Sequence, residues 1–391
     1  MISFLSRVCQ STPREEDKIL SSILVYWLTL AQLPVGIIDA MSKLLVNFIW
    51  GDSDAHRKIH LVAWHKLFLP KKYGGWGIKH LYWFNVALCL KTGWRMLIGK
   101  GLWHEVIFTK YLTNYNLKQW IHLRLYERGG GSYYRRNLSK HFHWISHGLV
   151  WSIGNGRRVQ IGLDPYSVSG DHFTLPLHMI TMLHSMGIKY LFQIHGYQGN
   201  SLNYWLSSND LGLTGGDAIR WEDFRHTLYR MGIKLIDKED QLKWDHSQDG
   251  NITAKVLYDF LVKEQLDHYQ EWWHPLIWKW NLAPKLKCFW WLILKNSILT
   301  WENLNKRGFH GPGRCVLCMS NTKDLDHIFI HCSFTRVIWQ EMESEYTYLK
   351  DWGYLPLAKN FKHWFRLHPR RPQTLVLICW VVWNIWNGII F

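Results

Sequence analysis

Residues 315–332, with the sequence CVLCMSNTKDLDHIFIHC, contain three of the chain's seven cysteines. Two residues separate Cys315 from Cys318, eight separate Cys318 from His327, and four separate His327 from Cys332. Three cysteines and one histidine form the ligand set of a closed structural zinc site, whereas a catalytic zinc keeps one coordination position for water. The segment therefore predicts a structural Zn²⁺ site made by Cys315, Cys318, His327 and Cys332.

Chance clustering and a disulfide bond are the two alternatives to a zinc site. His310 and His331 lie close in sequence and could replace His327 as the histidine ligand. The other four cysteines are scattered through apolar runs, as is typical of small buried residues. They are Cys9, Cys89, Cys288 and Cys379. This pattern favours a reducing compartment, so we expect an intracellular protein, nuclear or cytoplasmic, and not a secreted one.

Charge is distributed unevenly along the 391 residues. The formal net charge is +16, and residues 1–150 contribute +12 of it through 20 Lys and Arg against 8 Asp and Glu. A basic N-terminal part predicts a polyanionic partner, most simply RNA or DNA, and the alternative is a merely solvated basic surface. The 26 tryptophans can build cores or stack on bases, and composition alone does not separate these uses.

The two ends of the chain give no clear targeting or membrane signal. Charged residues at 14–18 interrupt the N-terminal segment before its apolar stretch, which does not fit a signal peptide. Residues 374–391 are strongly apolar, but Asn384, Asn387 and Gly388 argue against a membrane span. We expect a helix there that packs on something downstream, and no membrane partner.

Apolar periodicity and capping residues predict helices in both halves of the chain. In the first half they cover residues 34–50 and 82–98. In the second half one helix starts at Thr253 as N-cap, one covers 285–299, one is capped by Thr300, and one starts at Thr335.

Two glycine-containing turns carry basic residues. Gly74-Gly75-Trp76-Gly77 predicts a tight bend at the end of the basic segment 51–77. Residues 151–161 predict a β-hairpin, because two β-type runs flank Asn155-Gly156.

The predicted fold class is mainly α with short β hairpins. We divide the chain into a helical, basic, thumb-like region at 1–128 and a mixed α+β connector at 129–243. A zinc-stabilised helical domain at 244–345 and a C-terminal helical tail at 346–391 follow. The zinc site would tie a loop between two helical pieces, which gives it a folding role.

Motifs in two parts of the chain resemble the C-terminal half of plant LINE-type (non-LTR) retrotransposon reverse transcriptases. The first set is Leu33-Pro34, Asn47-Phe48-Ile49-Trp50-Gly51, Pro70-Lys71 and Gly74-Gly75-Trp76-Gly77-Ile78. The second set is Trp278-Lys279, Ala283-Pro284-Lys285-Leu286-Lys287, Asn303-Leu304, Arg307-Gly308 and Trp339, together with the four zinc ligands. The resemblance implies a polymerase thumb for the first set and the reverse-transcriptase zinc-binding domain for the second.

The resemblance also bears on activity. The family places the paired carboxylates of polymerase chemistry in a Tyr-x-Asp-Asp turn, and this chain contains no two consecutive aspartates. We therefore expect the catalytic palm to lie upstream of residue 1, and a ribonuclease H domain, where present, to begin near Phe391. No catalytic residue is assigned, and an enzyme with an unrecognised site stays an alternative.

A polymerase thumb grips the phosphate backbone, which makes exposed cations the candidate contacts. The candidates in and beside the glycine-rich bend are Arg57, Lys58, Lys66, Lys71 and Lys72, with Arg157 and Arg158 as a second pair. The expected partners are an RNA or DNA backbone and the upstream part of a reverse transcriptase. A domesticated protein-interaction scaffold and a decayed, non-functional gene product are the alternative readings of the same motifs.

Overall fold

The structure is a computed structural model. It describes residues 28–29, 32–50, 58–99, 101–102, 105–106, 109, 140–146, 148–166, 173–198, 201–265, 271–311, 313–319, 324–350, 352, 355–369 and 371–390. These residues are mainly helical and contain two small antiparallel sheets, which confirms the predicted fold class.

Helices follow one another along most of the described chain. In chain order they are α1 Val35–Trp50, α2 Trp64–Leu67, α3 Leu81–Ile98, α4 His143–Ser146, α5 Leu177–Ser185, α6 Gly215–Arg230, α7 Ala254–Glu264, α8 Pro284–Leu294, α9 Trp301–Asn305, α10 Ser333–Glu345, α11 Leu357–Leu367 and α12 Pro372–Ile390. Single 3₁₀ turns occur at Lys71–Tyr73, Leu191–Ile194 and Thr347–Leu349.

Predicted helix starts agree with the observed caps. The Thr253 hydroxyl accepts a hydrogen bond from the Val256 amide at 3.2 Å at the start of α7, and Thr300 caps α9 through the Asn303 amide at 3.4 Å. Each hydroxyl satisfies a backbone donor that has no partner within the helix. The helix predicted at 285–299 is shorter than expected. It ends at Leu294, because Asn296 adopts a left-handed conformation with φ 48°.

The predicted hairpin at 151–161 is wrong. Strand β1 (Leu149–Ser152) pairs antiparallel with β4 (Gln241–Trp244), far along the chain, with Leu149 opposite Trp244. Asn155 does not have a positive φ, whereas Gly156 does (69°), so this is not the type I′ turn that a two-residue hairpin needs. The second sheet is a local pair of β2 (His195–Gln198) and β3 (Ser201–Trp205).

The Asp240 carboxylate explains why residues 153–158 form a loop. It is 2% exposed and accepts backbone hydrogen bonds from Gly154 at 2.7 Å, Gly156 at 2.9 Å and Arg158 at 2.9 Å. One side chain therefore satisfies three backbone amides of the loop, without strand pairing. A predicted local turn is replaced by a contact between segments far apart in the chain.

The chain forms two compact units that do not follow chain order. Unit 1 contains residues 1–23, 34–81 and 266–391, and unit 2 contains residues 24–33 and 82–265. Unit 1 therefore joins the glycine-rich bend with the region of the cysteine cluster. The four-part division made from sequence stays a prediction about segments of the chain.

The core of unit 1 is built around α8. Its Phe289, Trp290 and Trp291 side chains are fully buried. The C-terminal helix α12 packs against α8, and Trp383 lies 6.4 Å from Phe289 between ring centroids. The helix predicted for the C-terminus is thus present, but it packs on upstream residues. Of the described helices, α12 included, none has the length and apolarity that a bilayer-spanning segment requires.

Unit 2 has its own apolar core without a metal cluster among its described residues. Trp205 and Trp221 are fully buried there, and Trp221 stacks on Phe224 at 5.4 Å between ring centroids. A separate polar contact in the same unit joins the Gln32 amide to Nε2 of buried His141 at 2.8 Å. Tryptophan therefore serves core formation in both units.

Candidate metal centre and basic surface

A tight turn places Cys315 and Cys318 together. The Met319 amide donates to the Cys315 carbonyl at 2.8 Å, and Met319 adopts a left-handed φ of 58°. A non-glycine residue rarely takes this conformation, because its Cβ crowds the backbone. The turn closes the Cys-x2-Cys loop so that two thiols can serve one centre.

The other two residues of the cluster lie at the two ends of a π-helical turn, His327–His331: His327 begins it and Cys332 follows it. The Asp324 carboxylate accepts from the His327 amide at 2.6 Å, and the Cys332 amide donates to the His327 carbonyl at 2.7 Å. Cys332 then immediately precedes α10. The wider π turn, which is frequent at functional sites, brings His327 and Cys332 to the same region despite four intervening residues.

The four potential ligand atoms lie within 4.8 Å of one another. Sγ of Cys315 is 4.0 Å from Sγ of Cys332, and Sγ of Cys318 is 3.2 Å from Nε2 of His327. A tetrahedral zinc with its usual bond lengths would set these separations at about 3.8 Å and about 3.5 Å. The residues present therefore fit a zinc ion.

The neighbouring histidines do not take part in this cluster. His310 and His331 are exposed, whereas His327 is 6% exposed and Cys315 and Cys332 are fully buried. Burial raises the pKa of the Cys332 thiol to about 11, and the nearby Cys315 contributes to the rise. Hydrogen bonds from the backbone amides of Thr335 and Phe334 lower this pKa in part. A bound cation would supply the positive charge that favours thiolates in such a site.

Hydrogen bonds tie the cluster to the core of unit 1. The Thr335 hydroxyl donates to the Ile328 carbonyl at 2.7 Å, and the Trp339 indole donates to the Phe329 carbonyl at 2.8 Å. Ile328 and Phe329 are themselves buried core residues. Since the same turn supplies ligands and core side chains, loss of a ligand would disturb the packing of unit 1.

Three predicted phosphate contacts precede the bend at Gly74–Gly77. Lys66 lies on α2, and Lys71 and Lys72 form the 3₁₀ turn that Gly74 ends with φ 78°. All three lysines are exposed, as is Lys58. Arg57 lies outside the described residues.

The bend is fastened to α8 and to the residues around it. The Trp291 indole donates to the Gly74 carbonyl, and the ring of buried His274 lies where a side chain at Gly74 would be. Only glycine fits there. The Arg307 guanidinium further donates to the carbonyls of His60 at 2.8 Å and Leu61 at 3.1 Å. Residues 58–77 and the cysteine-bearing region therefore share one packed unit, which sequence could not show.

Lys287 was not among the predicted phosphate contacts. It lies in the first turns of α8, and burial followed by the charge of Lys71 lowers its pKa. The available signal was the motif Ala283-Pro284-Lys285-Leu286-Lys287, whose alternating lysines lie at the start of a helix. Sequence alone did not place that motif beside the bend, because the two segments are far apart in the chain.

Arg157 and Arg158 belong to unit 2, in the loop capped by Asp240. Both are exposed, and the Arg158 guanidinium lies 5.6 Å from the Trp151 ring centroid. Arg158 and Asp240 also line a cavity of about 590 Å³ in unit 2. The positive charge of this pair therefore lies close to a carboxylate.

The described residues contain one group of three or more His, Cys, Asp or Glu side chains that could hold a metal ion, and it is the Cys₃His cluster. Comparison with known proteins gives this cluster a family context. Residues 253–339 match the family described as zinc-binding in reverse transcriptase, and this range contains all four cluster residues.

Two relatives from Arabidopsis thaliana extend the similarity. One, named "Putative ribonuclease H protein", is 25% identical over 332 residues, which cover 82% of this chain and 50% of the relative. The other, an uncharacterised mitochondrial protein, is 28% identical over 144 residues, which cover 36% of this chain and 89% of the relative. The chain thus spans about half the length of the first relative. These matches confirm the resemblance noted in the sequence: the chain is similar to the C-terminal part of plant retrotransposon reverse transcriptases, and residues 253–339 correspond to their zinc-binding domain.

Proposed function

We propose that this chain is a zinc-stabilised, nucleic-acid-binding part of a reverse-transcriptase-like protein that carries no polymerase site of its own. The convergence of four ligand atoms within 4.8 Å, inside the matched family range, is the observation that carries the proposal. Cys315, Cys318, His327 and Cys332 hold one Zn²⁺. The ion has a structural role, because four protein ligands leave no coordination position for water or substrate.

The nucleic-acid part of the proposal is supported by charge and exposure. Lys66, Lys71 and Lys72 are exposed, and they precede a bend whose Gly74 carbonyl accepts a hydrogen bond from Trp291 of α8. The 3₁₀ turn that carries Lys71 and Lys72 is already ordered, which lowers the entropic cost of binding through these side chains. They contact phosphates and so contribute affinity without base specificity, while Lys58, Arg57, Arg157 and Arg158 are weaker candidates.

The absence of polymerase activity is proposed from the sequence. Two-metal polymerase chemistry needs carboxylates that hold both ions near the primer end, and the chain has no consecutive aspartates. The word "ribonuclease H" in the name of the 25% identical relative describes that protein, of which this chain matches half. We assign neither activity to residues 1–391, and the upstream part of a reverse transcriptase is the proposed protein partner.

Metal analysis tests the zinc assignment. Protein purified under reducing conditions should contain one zinc per chain, and cobalt substitution should give the visible absorption of a tetrahedral, thiolate-rich site. Replacement of Cys318, the half-buried ligand, by Ser should lower the stoichiometry. Metal content near zero in fresh, reduced protein would rule out the site.

A binding titration tests the nucleic-acid assignment. The protein should bind a fluorescent 20-base-pair duplex with micromolar or weaker affinity, and log K should fall linearly with log salt. Lys66→Gln, Lys71→Gln and Lys72→Gln combined should weaken binding equally for unrelated sequences and reduce the salt slope by about one unit per lost contact. A flat salt slope would contradict phosphate binding. Primer extension with magnesium and nucleotides should give no product, and extension that copurifies with the protein would contradict the lack of a polymerase site.

A further inference from the structure

Lys71 and Lys287 approach the same tryptophan from segments that are far apart in the chain. The Lys71 ammonium is 5.5 Å from the centroid of the Trp278 ring. The Lys287 ammonium donates to the Trp278 carbonyl at 3.2 Å. All three residues belong to unit 1. Two cations are therefore held at different parts of one residue, one at its ring and one at its backbone.

The charges of this pair are not neutralised nearby. Within the part of the chain that the structure describes, neither lysine forms an ion pair with a carboxylate. The first turn of α8 contains no acidic residue either, although helix N-termini favour negative charge. Burial of Lys287, together with the Lys71 charge, lowers its pKa, as expected for like charges that repel each other. An anion between them would relieve this repulsion.

Both ammonium groups retain hydrogen-bonding capacity for an anion. Lys287 uses one of three N–H donors on the Trp278 carbonyl, and the contact of Lys71 with the ring uses charge rather than a donor. Exposed Lys72 and Lys285 flank the pair in sequence, so positive charge continues along both segments. A repeating anion matches this arrangement better than a single small one, since it can meet several cations at once.

We propose that Lys71 and Lys287 form one composite phosphate-binding site, so that a nucleic-acid backbone lies across both the glycine-rich bend and the start of α8. This inference rests on the proposed nucleic-acid binding and adds the zinc-binding domain as a direct contact. Trp278 positions both ammonium groups. The domain would then have a second role beyond holding the fold of unit 1.

Single and paired substitutions test the site in the full-length, zinc-loaded protein. The variants are Lys71→Gln, Lys287→Gln and their combination, assayed by anisotropy with a 20-base-pair DNA duplex. Each single change should weaken binding about eightfold near 0.1 M salt and lower the salt slope by about 0.9, because one fewer counterion is released. The affinity loss of the double variant should differ from the product of the two single losses by a factor of at least about two, as expected for side chains at one site.

Lys359→Gln provides the matched control, because Lys359 is an exposed lysine on α11 of the same unit. This substitution removes the same charge and should change the affinity for the duplex less than twofold. In combination with Lys71→Gln, its effect on affinity should simply multiply with that of Lys71→Gln. If Lys287→Gln behaves like Lys359→Gln while the wild type binds with a steep salt slope, the composite site is wrong and the proposed function stands. If the wild type does not bind the duplex, the composite site and the proposed nucleic-acid binding are both wrong.

A footprint gives a second test that needs no variant. Brief lysine acetylation, followed by peptide mass spectrometry, should show Lys71 and Lys287 protected together by the duplex and Lys359 unprotected. Poly-glutamate of equal charge should protect the pair much less at the same concentration. Equal protection by poly-glutamate would identify a surface for acidic proteins and would overturn the proposal.

Discussion

The bend at Gly74–Gly77 and the loop at Gly154–Gly156 combine the same ingredients, glycines and adjacent basic residues, but different forces hold them. In unit 1, the bend packs against aromatic side chains, with the Trp291 indole bonded to the Gly74 carbonyl and His274 filling the space beside it. In unit 2, one buried carboxylate, Asp240, accepts three amides of the loop. The aromatic side chains add no negative charge beside the bend, whereas the Asp240 carboxylate adds one beside the loop.

This difference separates two sets of basic residues that sequence treats alike. Arg157 and Arg158 extend from a loop organised around a negative charge, so part of their field is cancelled locally. Lys71 and Lys287 are held by the ring and the carbonyl of Trp278, which carry no net charge, and their charges add. We therefore expect the lysines of unit 1 to be the better phosphate ligands. Unit 1 also contains the Cys₃His cluster, and unit 2 has an apolar core without such a cluster among its described residues.

Loss of a zinc ligand should produce the largest difference between the units. Cys332→Ser should unfold the metal region of unit 1, because structural zinc contributes on the order of 10 kcal/mol to folding of small domains. Hydrogen exchange followed by mass spectrometry should show exposure of peptides around 284–345 and unchanged protection of 175–230 in unit 2.

His327→Gln and His331→Gln form a matched pair for the same question. The first removes the buried histidine beside the Cys318 thiol, and the second removes an exposed neighbour. Zinc should be lost only from the first variant. Equal zinc loss from both would show that the ligand set differs from the one proposed.

Removal of the Asp240 carboxylate should have the next largest effect, confined to unit 2. Asp240→Ala leaves three loop amides without their acceptor and should cost on the order of 4 kcal/mol in unfolding free energy. Urea denaturation measures the loss. The control is Asp237→Ala, which removes an exposed carboxylate and should change stability little. A similar loss of unfolding free energy in both variants would mean that the change in net charge, and not the loss of the loop hydrogen bonds, lowers stability.

Gly74→Ala should test aromatic packing of the bend. An added methyl group would overlap the His274 ring, and the left-handed φ of 78° adds strain, so we expect a loss of about 3 kcal/mol. Gly308→Ala has a similar φ of 82° with no atom within 4 Å of the new methyl group, and should lose about 1 kcal/mol. Thermal unfolding of the two variants separates steric overlap from backbone strain. Equal losses would show that His274 moves aside freely.

Acidification should have the smallest effect, and we assign it to unit 2, whose described residues contain no metal cluster. Burial, followed by the charges of Lys140 and His143, lowers the pKa of His141 to about 4. The unfolded state, with an ordinary histidine pKa near 6.5, takes up the proton first. The contribution of neutral, buried His141 to stability is thus complete above about pH 6.5. It decreases as the pH falls towards 4, and the free energy of unfolding should drop by about 1 kcal/mol between pH 7 and 5.5.

His141→Gln should remove this pH dependence from the urea unfolding of unit 2. The control is His226→Gln, which replaces an exposed histidine of the same unit and should leave the pH dependence intact. An unchanged slope in His141→Gln would show that other groups titrate in this range.

Local chemistry in the sequence was sufficient for several features. The Cys₃His set follows from ligand types and short spacings, and the structure brings these four residues together because one tight turn and one π turn span them. The starts of α7 and α9 follow from threonine capping, which involves only residues three positions apart. Interactions between residues that are close in the chain can be predicted from the local sequence.

Tertiary structure decided the features that depend on distant partners. The Asn155-Gly156 pair predicts a hairpin, but Asp240 takes the loop amides and β1 pairs with β4, because buried donors bond to whichever acceptor the fold brings near. The placement of Lys287 beside Lys71 likewise depends on α8 packing against the bend, which no local pattern encodes. Sequence identified the candidate metal ligands and the candidate lysines near the bend, and the packing of unit 1 brought Lys287 and Lys71 to the same tryptophan.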